Sequence, residues 1–291
     1  MDYLLISSAY NEESTIKYSI ESIIKQTVKP VLWLIVNDGS KDGTGRIIEE
    51  YTSKHDWIIK IDKKNDNIGI PGQHAMINLY YAIKQIPNKV NYNFIGHLDI
   101  DIIIDRPDYY EYQIKKMCED PTLGICGGIP YYFNNNKQKI ITDSCRWHTS
   151  GGLKFYRKEC FEDISPIPAD ISWDGIDEFK AMYKGWKTEK FFELEANHLG
   201  ALRELNRNLN TTQYFFYGVS IFRRGRPMWF AISKSLKIMK TKKLRCGILY
   251  LHGYFKALIN AEKKLHTKEE IKFVKRFDRK RAFNKYYPFN D

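Results

Sequence analysis

The stretch NFIGHLDIDIII, residues 93–104, carries two carboxylates inside an otherwise apolar run. If this run is a strand, Asp99 and Asp101 point to the same face, because side chains two residues apart on a strand share a face. Two buried like charges are costly unless a positive group lies beside them. The carboxylates could be solvated or paired with Lys or Arg at a strand end, or they could bind a divalent cation, which prefers oxygen ligands.

The chain before this stretch alternates between strand and helix patterns. Predicted strands cover residues 3–8, 31–38, 57–62 and 92–101, with helical patterns between them. The alternation predicts an α/β protein whose central sheet is mainly parallel and flanked by helices. Ligands of such sheets bind beyond the carboxyl ends of the strands. Asp38 ends the second predicted strand and joins Asp99 and Asp101 at that edge, which favours the metal interpretation.

The composition indicates a packed globular protein of 291 residues, with 43% apolar side chains, 20 Tyr and 16 Phe. Its five cysteines include no C-x-x-C pair, which argues against a disulfide framework or a zinc ribbon and favours a reducing compartment. The N-terminus lacks a signal-peptide pattern, and no run of about 18 apolar residues occurs. We therefore expect a cytoplasmic protein that does not span a membrane by itself.

The positive charge lies in the C-terminal third of the chain. The net charge is +11, and residues 201–291 hold 22 Lys and Arg against 6 Asp and Glu, which leaves the first 200 residues net negative. We therefore predict a catalytic core over residues 1–200 and a basic, aromatic-rich, mostly helical extension over residues 201–291. Such an extension suits nucleic acid, an anionic membrane surface or a phosphorylated substrate.

Five segments, in this order, resemble the motifs of glycosyltransferase family 2, which has the GT-A fold. They are SSAYNEESTIKYSIESIIKQT (7–27), LIVNDGSKDGT (34–44), HLDID (97–101), GGLKFYRKECFEDI (151–164) and WDGIDEFKAMYKGWKT (173–188). The resemblance covers residues 3–200 and, more weakly, 215–281. It implies a Rossmann-like core with a nucleotide-sugar half, residues 1–105, and an acceptor half, residues 106–200. It also implies an enzyme that takes a sugar from a nucleotide-diphosphate sugar.

The resemblance gives the two aspartates a role at the donor diphosphate. Negative charge builds on the departing diphosphate, and a bound Mg²⁺ or Mn²⁺ ion would neutralise it. Asp101 is the expected metal ligand, and Asp99 is expected near the ribose or as a second group at the metal. His198 resembles a histidine that completes the coordination, although a lone histidine is more often structural.

The resemblance also assigns residues to the nucleotide. Tyr10 and Asn11 line the base pocket in similar proteins, although they could instead be packing and helix-cap residues. Asp38 resembles an aspartate that accepts a hydrogen bond from the base, while Asn37 replaces a commoner Asp and leaves the base open. A UDP-sugar is the expected donor, with GDP- and dTDP-sugars as alternatives. The residues expected at the nucleotide are Ser8, Ala9, Tyr10, Asn11, Glu12, Asp38, Asn67, Asp99 and Ile100.

A carboxylate is expected to accept the proton of the acceptor hydroxyl. In similar proteins it lies at the start of a helix that ends with a Gly-aromatic pair, here Gly185 and Trp186. The corresponding position is Asp174, and Asp177, one helical turn further along, is its main rival. Both could instead be acids that complement the helix dipole. The resemblance implies an inverting, single-displacement mechanism.

The extension mixes Arg223, Arg224 and Arg226 with Trp229 and Phe230. This pattern predicts peripheral binding to an anionic membrane surface, and aromatic packing under a solvated charged face is the alternative. Similar enzymes use glycan or lipid-diphosphate-linked acceptors in polysaccharide, glycolipid or glycoprotein glycan assembly. We expect addition of a single sugar, because the Gln-x-x-Arg-Trp string of processive synthases is missing.

Two other functions are consistent with parts of the pattern. A nucleotidyltransferase has a related sheet and also uses metal and aspartates, but its Gly-rich, basic signature is missing after LLIS, residues 4–7. A nucleic-acid-binding protein could use a basic, aromatic surface. We do not expect nucleic-acid binding, because no recognised motif for it occurs.

Overall fold

The structure is a computed structural model that describes residues 1–64, 72–141, 145–201 and 211–284. Nine strands in these residues form a single sheet. The strands are β1 (Tyr3–Ala9), β2 (Leu32–Asn37), β3 (Ile58–Asp62), β4 (Phe94–Leu98), β5 (Ile102–Ile104), β6 (Leu123–Phe133), β7 (Lys139–Ile141), β8 (Leu153–Arg157) and β9 (Lys187–His198).

The sheet has a parallel half and a mixed half. Its order is β3-β2-β1-β4-β8-β6-β9-β5, with β7 beside β6. The first four strands in this order are mutually parallel, with Leu5 of β1 opposite Trp33 of β2 and Gly96 of β4. From β4 onward the pairing is antiparallel, except that β6 and β9 run parallel. The predicted α/β class with a Rossmann-like sheet is confirmed.

Helices cover both faces of the sheet and form the C-terminal region. They are α1 (Ile16–Ile24), α2 (Thr44–Thr52), α3 (Gln73–Ile83), α4 (Tyr109–Glu119), α5 (Lys158–Ile164), α6 (Trp173–Tyr183), α7 (Thr211–Arg223), α8 (Met228–Thr241), α9 (Leu244–Ile259) and α10 (Lys268–Asn284). In α1 the fully buried Ile16, Ile20 and Ile23 recur at helical spacing and face the sheet. Helix α6 ends just before Gly185. This glycine has a φ of +93°, the left-handed conformation that glycine often adopts at helix C-termini.

Two apolar cores lie on opposite sides of the sheet. Leu5 and Trp33 belong to one core, whereas their chain neighbours Leu4 and Leu34 belong to the other. Side chains alternate between the faces of a strand, and here both faces are covered, so β1 and β2 are apolar at nearly every position. This explains the continuous apolar runs of the sequence.

The C-terminal helices have a core of their own and also contact α6. Helices α7 and α9 approach closely at Gly218 and Gly253, where a Cβ atom would collide with the carbonyl oxygens of Tyr250 and Phe215. Helix α10 packs Phe277 against Phe179 of α6. The boundary near residue 200 stays a prediction. None of the helices in the described residues is long and apolar enough to cross a bilayer.

The extension differs from the prediction at its arginines. Arg224 and Arg226 are only 8% and 6% exposed, because they lie between the C-terminal helices and α6. Arg226 forms an ion pair with the buried Asp278 and stacks over Phe179. These two residues therefore do not form the solvent-facing basic surface that the sequence predicted.

Candidate active site

The acidic pair lies in a turn and not on a strand. Strand β4 ends at Leu98, and the amide of Ile102 donates a hydrogen bond to the Asp99 carbonyl over 3.1 Å. The chain then enters β5, which pairs with β9 instead of continuing β4. The prediction of one strand over residues 92–101 was wrong at this end. The predicted place at the carboxyl edge of the parallel strands is nevertheless where Asp99 and Asp101 lie.

Asp99 is enclosed by the turn that precedes β8. Its amide donates to the Gly152 carbonyl over 3.0 Å, and a Cβ atom at Gly152 would collide with the Asp99 carboxylate. Burial raises the pKa of Asp99 to about 7, and the negative charge of Asp101 adds to this, whereas His198 opposes it. A glycine at 152 is thus required by the close approach of this carboxylate.

Asp101, in the turn just before β5, lies beside His198, the last residue of β9. The His198 Nε2 atom lies 3.3 Å from Asp101 Oδ2, and the two side chains are 20% and 16% exposed. Gly200 leaves room beside them, because a Cβ atom there would collide with Asp101 Oδ2. A carboxylate and an imidazole that lie side by side are donors that a divalent cation such as Mg²⁺ or Mn²⁺ can use.

A metal here would need further ligands. Among the residues that the structure describes, no three His, Cys, Asp or Glu side chains converge as a metal site. Mg²⁺ nevertheless binds typically through one or two carboxylates, together with water and substrate phosphate oxygens. The pair of Asp101 and His198 therefore fits an ion whose remaining ligands come from a nucleotide diphosphate.

Asp38 lies at the end of β2 with its carboxylate buried among donors. Its oxygens lie 2.9 Å from Lys63 Nζ, 3.1 Å from Asn78 Nδ2 and 3.2 Å from His74 Nδ1. Burial alone would raise the pKa of Asp38, but the hydrogen bonds from Lys63 and Asn78 lower it below its usual value. The neighbouring Asn37 donates to Asp62 over 2.7 Å and so faces β3.

The loop after β1 is held to the loop after β2 by hydrogen bonds of Asn11. Asn11 has a φ of +55°, its amide donates to Ser40 Oγ over 3.1 Å, and its side-chain oxygen accepts from the Lys41 amide over 2.8 Å. Asn11 therefore connects two loops through hydrogen bonds and does not cap a helix. Tyr10 is 45% exposed, so its ring face is accessible for stacking.

The remaining residues predicted at the nucleotide fall into four groups. Ala9 and Ile100 are buried and can offer only backbone atoms to a ligand. The buried Ser8 hydroxyl has no hydrogen-bond partner among the described residues. Glu12 accepts a hydrogen bond from the Thr15 hydroxyl over 2.6 Å. Asn67 lies outside the described residues.

The two candidate bases have opposite surroundings. Asp174, in the first turn of α6, has a side chain that is 33% exposed, and its charge acts on Asp99. Asp177 is fully buried, and its oxygens accept from Lys154 Nζ over 2.8 and 2.7 Å and from the Tyr156 hydroxyl over 2.6 Å. Of the two carboxylates, only that of Asp174 is accessible to solvent.

A buried charge network supports α6 from β8, and the sequence analysis missed it. Fully buried Lys154 contacts Glu178 Oε1 over 3.2 Å as well as Asp177, and His148 Nδ1 lies 2.6 Å from Glu178 Oε2. Burial alone would raise the pKa of Glu178, but His148 and Lys154 hold it at about 2. The sequence clue was the strand pattern LKFYR, which places Lys154 and Tyr156 on one face of β8.

Comparison with known proteins places this geometry in a family. The model of the family described as Glycosyl transferase family 2 matches residues 5–225. The glycosyltransferase GlyA of Streptococcus pneumoniae serotype 4 (strain ATCC BAA-334 / TIGR4) is 29% identical over 262 residues, which cover 88% of this chain and 33% of that protein. The chain thus spans about a third of the length of this curated relative.

Two solved structures share the fold at low sequence identity. The mannosyltransferase PcManGT from Pyrobaculum calidifontis in complex with GDP-Man and Mn²⁺ aligns with a TM-score of 0.56 and 12% identity over 98% of this chain and 81% of that chain. S. aureus TarS 1-349 in complex with UDP-GlcNAc aligns with a TM-score of 0.56 and 15% identity over 89% and 73%. These likenesses support the GT-A fold. Because the family model matches most of its length, the chain belongs to glycosyltransferase family 2.

Proposed function

We propose that this glycosyltransferase moves one sugar from a nucleotide-diphosphate sugar to an acceptor hydroxyl with inversion and with the help of a divalent cation. The observation that carries the proposal is the position of Asp174. Its partly exposed carboxylate lies beside the acidic turn, on the sheet edge that also holds Asp38. A base next to a diphosphate site is the arrangement that a single displacement requires.

The donor would lie along the carboxyl edge of β1, β2 and β4. Asp38 would accept a hydrogen bond from the base in addition to its contacts with Lys63, His74 and Asn78. The exposed Tyr10 ring would stack on the base. The diphosphate would lie beside Asp101 and His198, where a bound ion would neutralise the charge of the leaving group. UDP is the nucleotide we favour, and GDP and dTDP are alternatives, since the fold neighbours bind UDP-GlcNAc and GDP-Man.

Asp174 would act as the general base. It would take the acceptor hydroxyl proton while the acceptor oxygen forms a bond to the anomeric carbon. The bond from that carbon to the diphosphate oxygen breaks on the opposite side, so the configuration inverts. Asp177 would hold α6 in position, because Lys154 and Tyr156 occupy both of its oxygens.

Two measurements test this proposal. Hydrolysis of UDP-, GDP- and dTDP-sugars is compared with Mn²⁺, with Mg²⁺ and with excess EDTA, and we expect turnover of one nucleotide class that EDTA removes. NMR of the transferred sugar gives the anomeric configuration. Full activity in EDTA would rule out the metal requirement, and a product that keeps the donor configuration would rule out inversion.

The acceptor side of the proposal includes an anionic membrane surface. Large apolar side chains are exposed on α8 and α9: Met228, Trp229, Ile232, Leu236, Leu244, Ile248, Leu258 and Ile259. Exposed cations such as Lys240, Lys243 and Arg245 lie among them. Apolar side chains beside cations are typical of a helix that lies in a membrane interface. The acceptor would be a glycan or a lipid-diphosphate-linked sugar.

A further inference from the structure

A basic cavity lies between the start of α6 and the helices α7, α8 and α9. Its volume is about 450 Å³, and it is lined by Ser172 of the chain before α6 and by aromatic and basic side chains. The cations in its lining are Arg224, Arg226, Lys234, Lys237 and Lys242. None of the described residues that line it is acidic, so its walls attract an anion.

Three polar atoms buried in this lining have no hydrogen-bond partner among the described residues. Arg224, Arg226 and Tyr250 are 8%, 6% and 2% exposed. The Nε atoms of both arginines and the Tyr250 hydroxyl find no acceptor or donor among the described residues. Buried polar groups in proteins are nearly always paired, and an unpaired cluster points to a ligand that completes it.

The positive charge of the cavity is only partly balanced. Asp278 pairs with Arg226, and burial of the carboxyl raises the pKa of Asp278 despite that partner. Partial burial lowers the pKa of Lys234, and the charge of Lys237 lowers it further. Like charges are thus held close together, and an anion between them would relieve the repulsion.

The cavity lies next to the chain segment that carries the proposed base, Asp174. Ser172 of its lining precedes Asp174 by two residues, and Arg224 lies so close to Gly175 that a Cβ atom there would collide with the guanidinium. Asp170 ties the same segment to α7 through Arg223 over 2.9 Å. A ligand in the cavity would therefore lie next to the first turn of α6.

We propose that this cavity binds a phosphate or diphosphate group of the acceptor and so presents the acceptor hydroxyl to Asp174. This inference rests on the proposed transferase function, since it assigns the cavity to the acceptor. Several cations around one cavity suit an anion of more than one charge, and guanidinium groups match phosphate oxygens in pairs. The phosphate could belong to a lipid carrier or to a soluble phosphorylated glycan.

Calorimetric titration with inorganic pyrophosphate in excess EDTA tests the site without donor or metal. We expect the wild-type protein to bind, and Lys234→Gln/Lys237→Gln to bind at least about 10-fold more weakly, because hydrogen bonds to ionised groups are strong. The matched control is Lys240→Gln/Lys243→Gln, which removes two exposed cations outside the lining and should keep the wild-type affinity. All four lysines keep part of their side chain in solvent, so each variant should fold.

The outcomes of the titration distinguish a lipid carrier from a soluble phosphorylated acceptor. They also distinguish failure of the anion site from failure of the proposed transferase function. Tighter binding of geranyl diphosphate than of pyrophosphate, with the same dependence on Lys234 and Lys237, supports a lipid carrier. Equal affinity supports a soluble phosphorylated acceptor. No binding by the wild-type protein, or an equal loss in the control variant, overturns the site. Since the titration uses no sugar nucleotide, its failure leaves the donor tests untouched, and failed donor turnover leaves the anion site standing.

Discussion

At the residue scale, the surroundings of Asp174 and Asp177 decide which carboxylate can exchange a proton with a substrate. Both belong to α6 and are separated by one helical turn. Asp177 is held by the ammonium of Lys154 and the hydroxyl of Tyr156 in a place that solvent does not reach. Asp174 keeps its carboxylate toward the acidic turn, so it is the residue that we propose as the general base.

We predict that Asp174→Asn lowers kcat by about 10²–10⁴-fold, the usual loss on removing a general base. The KM for the sugar nucleotide should change little, because Asp38 and the Asp101 region would bind the donor. Steady-state kinetics with a sugar nucleotide and its acceptor measure both constants. If a folded Asp177→Asn protein shows this signature and Asp174→Asn does not, the base lies one turn further along.

Gly200 offers a test of the metal site that leaves every proposed ligand in place. A Cβ atom at this position would collide with Asp101 Oδ2 and lie 3.5 Å from His198 Nε2. We expect Gly200→Ala to raise the Mn²⁺ concentration for half-maximal donor hydrolysis by about 10-fold, as changes beside metal ligands typically do. An unchanged Mn²⁺ dependence in a variant with wild-type thermal stability would show that Asp101 is not a metal ligand.

At the scale of elements, β8 and α6 are joined by a buried charge network. Lys154 is fully buried and contacts both Asp177 and Glu178. Removing one partner from a buried ion pair leaves uncompensated charge in a medium of low polarity. The position of α6, and with it that of Asp174, should therefore depend on a lysine that makes no contact with solvent.

We expect Lys154→Met to lower the free energy of unfolding by about 3–5 kcal/mol, the cost of breaking a buried pair. The control is Lys54→Met, which breaks an exposed 2.8 Å pair with Glu50 and should leave the free energy of unfolding almost unchanged, because solvent screens such pairs. Urea unfolding of the two variants gives both values. Equal losses would show that the Lys154 network carries no special stability.

How well the sequence could predict these elements depends on how far apart along the chain their contacting residues lie. The strands β1, β2 and β3 follow from local apolar runs, because both faces of that half of the sheet are covered. The turn at Asp99 could not be predicted from the run of residues 93–104, since β5 leaves β4 to pair with β9, more than ninety residues later. Lys154 was missed for the same reason, as its partners lie 23 and 24 positions further along.

At the scale of the whole molecule, the C-terminal helices separate two kinds of basic residue. Arg224 and Arg226 turn inward to the cavity at α6, whereas Lys240, Lys243 and Arg245 face outward. The charge count of the extension predicted a basic region but could not tell these groups apart, because burial depends on the packing of α7, α9 and α10. Only the outward group can contact a membrane.

We therefore predict salt-sensitive binding to anionic vesicles, tested by co-sedimentation at low and high salt. Each cation near an anionic surface contributes about 1 kcal/mol, and the screening length falls from about 10 Å at 0.1 M salt to about 3 Å at 1 M. Lys240→Glu/Lys243→Glu/Arg245→Glu should weaken binding to anionic vesicles by at least about 100-fold, since three attractions are lost and replaced by repulsion.

The matched control for this prediction is Lys25→Glu/Lys84→Glu/Lys89→Glu, which reverses three exposed cations of the sheet domain and should bind almost as the wild-type protein does. Trp229→Ala should reduce only the part of the binding that survives high salt, because that part comes from burial of apolar surface. If the wild-type protein stays in the supernatant with anionic vesicles at low salt, the outward lysines form a solvated face. The phosphate that enters the cavity would then have to come from a soluble acceptor.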